Sequence, residues 1–143
     1  MKSLKPMQAL FFIWAGWELV NGVLSMFAAP LGGSLVSWAP KSGWNADLLA
    51  MSQQYGLAMI VLGIVYLVVA TNPMRYLAFV WVVVAEQLLG IVITAYETFG
   101  THSQTLQQFL TQVTVNTIIA AVFILLRPST TAPIGRTKGM ATT

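Results

Sequence analysis

The sequence predicts an all-α fold: an integral membrane bundle of four transmembrane helices with both termini cytoplasmic. Three observations carry that expectation. The 143 residues are 57% hydrophobic and only 8% charged, with a mean hydropathy of +0.74. Soluble domains carry about 25% charged residues, so this chain lacks the material for a water-exposed surface. Four apolar runs are each long enough to cross ~30 Å of hydrocarbon at about 1.5 Å of rise per residue. All six prolines, Pro6, Pro30, Pro40, Pro73, Pro128 and Pro133, fall outside those runs, as helix breakers should.

The predicted spans are 7–29, 52–71, 76–99 and 104–126. They make one transmembrane domain over 1–127, and the tail 128–143, rich in Ser, Thr, Pro and Gly, predicts disorder. The first span contains Glu18 and has no Ala-x-Ala exit, and it exceeds the length of a cleaved leader's core, so it reads as a retained helix. It stops at Pro30, with Gly32 and Gly33 just beyond. A longer connection runs from Pro30 to Trp44, and its Trp38 and Trp44 suit the headgroup level. Asn45 has the side chain of an N-cap and Asp47 places an anion in a first turn, so the second helix begins near Ala46. Its apolar part runs from Tyr55 to Thr71. Asn72-Pro73 ends it, and a short turn around Pro73 and Arg75 opens the third. Gly100-Thr101-His102-Ser103 is a polar turn, and Arg127-Pro128 closes the fourth.

The orientation follows from the basic residues. Lys2, Lys5, Arg75, Arg127, Arg136 and Lys138 share one side and only Lys41 lies on the other, a positive-inside asymmetry that puts both termini in the cytoplasm. The net charge of +3 is therefore a topology signal. The seven basic residues do not cluster, so they make no nucleic-acid surface. The absence of cysteine excludes disulfides, thiolate nucleophiles and cysteine metal sites. No His/Cys cluster has zinc spacing, and no phosphate loop or motif of nucleophilic catalysis is present. No cofactor is indicated by any motif.

The chemistry lies in polar residues inside the apolar runs. Glu18, in Trp14-Ala15-Gly16-Trp17-Glu18, is central in the first span, Glu86 and Gln87 in the third, and Asn116 in the fourth. An acid at the bilayer centre costs about 2.5–3.5 kcal/mol on insertion scales, so a partner or a retained proton must offset it. By helical spacing Trp14, Glu18, Asn21 and Ser25 share one face, and Val83, Glu86, Gly90 and Glu97 share another. Gln104, Gln108, Gln112, Asn116 and Ala120 form a stripe at steps of four, polar from the outer end to mid-depth. That stripe predicts a cavity wet from the outside and closed on the cytoplasmic side. Asn21, Gln87 and Asn116 taken singly read as glue between helices, with Gly56, Gly63 and Gly90 as close-packing positions. Two acids at one depth favour function, because Gln would serve as glue. Trp14, Trp17 and Trp81 taken singly read as packing residues, Tyr55, Tyr66, Tyr76 and Tyr96 as interface anchors, and His102 as a solvated loop residue. An internal echo, Phe12-Ile13-Trp14 before Glu18 and Gly22 against Phe79-Val80-Trp81 before Glu86 and Gly90, is compatible with a duplicated hairpin.

Tyr55-Gly56-Leu57-Ala58, Leu62-Gly63-Ile64, Tyr66-Leu67 and Pro73 before Arg75 resemble small bacterial four-helix membrane proteins of the DoxX-like kind. The resemblance covers the second and third spans. It implies a four-helix bundle of the bacterial inner membrane and assigns no role to Glu18 or Glu86. The small multidrug transporters also have four helices and an acid in the first. They share no sequence match with this chain, which has a longer first outer connection and a second membrane acid.

Two buried carboxyls that approach each other cannot both ionise at low cost. Such a pair suits a proton, a cation or an apolar ligand with one polar end. The expected function is a mid-depth acidic pocket of Glu18, Asn21, Glu86, Gln87, Gln112, Asn116 and Trp14. It would bind a lipid-like or quinone-like molecule, or serve as an accessory-subunit interface. A proton-coupled transporter working as an oligomer and an intramembrane isomerase with a glutamate acid are the alternatives. Membrane lipid and a second copy or a larger membrane complex are the expected partners.

Overall fold

The computed structural model describes residues 5–35, 40 and 43–128. The predicted disordered tail beyond Pro128, the interfacial Trp38, and Lys2, Lys41, Arg136 and Lys138 lie outside the described residues. Five α-helices follow in order: α1 (Lys5–Phe27), α2 (Ala29–Leu35), α3 (Ala46–Thr71), α4 (Phe79–Ala95) and α5 (Leu106–Leu126). A five-residue π-helical turn, Tyr96–Gly100, extends α4. Among the described residues there is no strand. Four segments are long and apolar enough to cross a membrane: Lys5–Phe27, Ala46–Thr71, Phe79–Gly100 and Leu106–Leu126.

Local chemistry sets the helix ends. Asn45 adopts extended backbone and its side chain accepts from the Leu48 N–H at 2.9 Å, so α3 starts at Ala46 with Asp47 in its first turn, as its sequence predicts. Thr105 and Gln108 form a reciprocal capping box at the start of α5. Thr94, Thr98 and Thr101 return their hydroxyls to the carbonyls of Gly90, Thr94 and Glu97. Such back-bonding loosens a helix, and here α4 widens into the π turn, closed by the Thr101 N–H on Tyr96 O at 3.0 Å.

The chain departs from expectation after the first span. Pro30 does not open an irregular connection; helix resumes as α2 from Ala29. Proline in a first turn costs no hydrogen bond, because that N–H would lack an intrahelical partner anyway. The break falls at Ala28, whose carbonyl accepts from Leu31 and Gly32. α2 rests on α1 and touches α3.

The long helices associate as two antiparallel pairs, α1 with α3 and α4 with α5. Backbone proximity makes the first pair. A Cβ added to Gly56 would lie 2.5 Å from Gly22 O and 2.7 Å from Met26 N, and one on Gly63 would strike the Leu19 side chain at 2.7 Å. Only a residue without Cβ lets the two backbones meet there, the small-residue packing used between membrane helices. The two pairs join at one end, where Met7, Phe11 and Ala15 meet Tyr66, Val69, Ala70, Leu77, Val80, Val83, Val84, Ala120 and Phe123. Phe11 stacks edge-on to Phe123 with centroids 5.2 Å apart, and Trp14 lies 6.3 Å from Phe123. At the other end the buried residues, such as Gly22 and Gly56 or Thr94 and Thr98, lie within one pair rather than between the two. α3 and α4, although joined by a short turn, do not pack along their length.

Candidate functional site

Glu18 closes the apolar core from above. The buried face of α1 runs Met7, Phe11, Ala15, Glu18, Gly22, so the helical period that buries the aromatic end also buries the acid, which is 2% exposed. Glu86, partly buried on α4, lies within electrostatic range of it. Tyr66 holds the second acid, its hydroxyl donating to Glu86 Oε2 at 2.9 Å. Trp14 reaches towards Tyr66 and Glu86. Its Nε1 is nevertheless buried without a completed hydrogen bond, and so is Glu18 Oε2. Tyr55, 62% exposed on α3, lies within electrostatic range of both acids.

The structure thus brings together Trp14, Glu18 and Glu86 and adds Tyr66, which sequence reading missed. Tyr66 looks like an interface anchor from its place near a span end. Helical side chains, however, lean towards the N-terminus of their own helix. On α3, antiparallel to its neighbours, that lean carries Tyr66 away from the nearby helix end and up to Glu86.

The remaining candidates do not gather there. Asn21 is partly buried and donates to its own helix, Nδ2 to Trp17 O at 3.0 Å. Gln87 is buried on the face of α4 that carries Val80, Val83 and Thr94. Gln112 Oε1 accepts from Thr94 at 2.7 Å, and Asn116 packs against Gly90, both in the α4–α5 seam. Gln104 precedes α5 and donates to Glu97, while Gln108 caps the helix. The polar stripe of the fourth span is therefore engaged largely in holding α5 to α4 and in shaping the turn before it. Gly22 and Gly90, each one turn beyond an acid, occupy corresponding places: α1 meets α3 at the first and α4 meets α5 at the second.

Chemically, the cluster offers two carboxyls, a phenol and an indole N–H above an aromatic floor. Buried polar groups are nearly always hydrogen-bonded. Trp14 Nε1 and Glu18 Oε2 are both shielded from solvent and complete no hydrogen bond within the chain. No protein-family model matches the chain, and neither a curated protein nor a solved structure is significantly similar to it.

Proposed function

We propose that the chain is an integral membrane protein with both termini cytoplasmic. Its Glu18–Glu86 pair, sharing a proton, forms the polar head of a binding site for an elongated apolar molecule with one hydrogen-bonding end. A lipid-like or quinone-like ligand has that form. The observation that carries the reading is the pair of open groups, Glu18 Oε2 and Trp14 Nε1, beside an acid already held by Tyr66. A ligand hydroxyl accepts from the indole and donates to the Glu18 carboxylate oxygen, while a ligand carbonyl accepts from the indole and, when the shared proton sits on Glu18, from that carboxyl as well. Glue between helices requires neither an acid nor unsatisfied atoms.

The way in supports the same reading. Glu86 is partly buried, Tyr55 is largely exposed, and α3 and α4 are not in close backbone contact along their length. A ligand entering sideways from the bilayer between those helices keeps its tail in hydrocarbon while its head reaches the acids. A proton-coupled transporter is the second reading, favoured by the closeness of the two carboxyls.

The chain purified in mild detergent from its membrane is expected to carry a bound apolar species, detectable by extraction and mass analysis. Denatured protein purified alongside should carry none above the membrane background. Failure to enrich any species would count against the site. Proton release on adding the recovered species separates the readings: a coupled transporter releases protons and a binding protein does not.

A further inference from the structure

The end of the bundle where the two helix pairs join carries cations without an acid. Glu18, Asp47, Glu86 and Glu97 are all the acidic residues of the sequence. The first and third lie above the core, while Asp47 in the first turn of α3 and Glu97 in the π turn lie at the far end. Arg75, in the α3–α4 turn, and Arg127, the C-cap of α5, are at the joined end. Each is fixed on an aromatic ring. Arg127 Cζ sits 5.2 Å from the Trp81 centroid, and Arg75 Cζ 5.6 Å from that of Tyr76. Arg127 is partly buried, and its Nε is shielded from solvent with no hydrogen-bond partner.

A guanidinium presents donors in a rigid fork that matches phosphate, and stacking on an aromatic ring pre-orders it. A shielded donor without a partner is costly, and among the described residues no acid is bonded to it. Trp81 is 49% exposed, with apolar side chains such as Val82 and Leu125 exposed on the same two helices. An anion arriving here therefore does best with apolar chains attached.

We propose that Arg127 and Trp81 form a binding site for the phosphate headgroup of an anionic lipid, with Arg75 adding charge from the neighbouring turn and the acyl chains lying along α4 and α5. The inference rests on the membrane reading and the orientation given above, which put this lipid in the cytoplasmic leaflet, but not on the acid pair.

The test is the thermal unfolding midpoint of the full chain in detergent with added phosphatidylglycerol, phosphatidylcholine or inorganic phosphate. Phosphatidylglycerol should raise the midpoint by several degrees, and the other two should not. Arg127→Gln and Trp81→Leu should each remove most of that rise. Lys5→Gln, which deletes a charge at the same end, should keep it. An equal rise with phosphatidylcholine or with inorganic phosphate would overturn the proposal, as would no rise at all. An equal loss in Lys5→Gln would also overturn it, because the attraction would then be diffuse. Should Arg127→Gln fail to fold, Trp81→Leu at its half-exposed position decides.

Discussion

Glu18→Leu will abolish ligand retention by at least a hundredfold while leaving the unfolding midpoint unchanged or slightly raised. The physical argument has two halves. A buried acid replaced by an apolar side chain of similar volume no longer has to be kept from water, and such replacements are often neutral or stabilising. The ligand, however, loses the one protein group beside it with an open oxygen. Glu18→Gln should fold as the parent does, because the amide keeps a neutral hydrogen-bonding end, and should retain part of the binding. Extraction of bound species and thermal unfolding in the same detergent check both halves. A large fall in stability for the Leu and Gln variants alike would make Glu18 a structural member of the helix junction and remove the site.

Phe123→Ala is expected to be the most damaging single change to the fold, at about 3–5 kcal/mol. Phe123 is fully buried, meets Phe11 edge-on at 5.2 Å and Trp14 at 6.3 Å, and so ties α5 to α1 where the two pairs join. The two pairs meet in the core around it, and in the membrane reading proposed above lipid offers no hydrophobic penalty for their parting, so packing there must hold them. Ligand retention should fall with stability, because Trp14 loses its backing. Denaturant unfolding in mixed micelles measures the first effect. Loss of no more than about 1 kcal/mol would mean that the pairs are joined elsewhere, since a cavity of this size cannot be that cheap in a packed core.

The parts of this fold legible in the sequence are those governed by short-range rules. Asn45 and Asp47 announce the start of α3, Asn72-Pro73 its end, and four apolar runs the four long helices. Glu18 and Glu86 fall at one level by counting along separate spans, and the structure places them within electrostatic range of each other. What was not legible depended on direction and on competition. Tyr66 looks like an anchor until the lean of its side chain towards the N-terminus of α3, away from the nearby span end, is taken into account. The glutamines of the fourth span look like a water-facing stripe because periodicity alone ignores capping. Thr105 followed by Gln108 is a capping-box signature, and that local signal was available to show where one glutamine is used. The pairing of Gln104 with Glu97 crosses a non-helical turn, beyond the reach of any helical period. α2 was hidden by Pro30, which ends one helix and is tolerated in the first turn of the next.

The central claim is that the open atoms of Trp14 and Glu18 belong to a ligand. An experimental density map of the full chain in lipid nanodiscs from its own membrane tests it most directly. The account predicts elongated density between α3 and α4, with its head within about 3.2 Å of Trp14 Nε1 and the Glu18 carboxyl. A map in which those two groups bond to each other or to neighbouring side chains, with protein packing filling the space between Glu18 and Glu86, would contradict it.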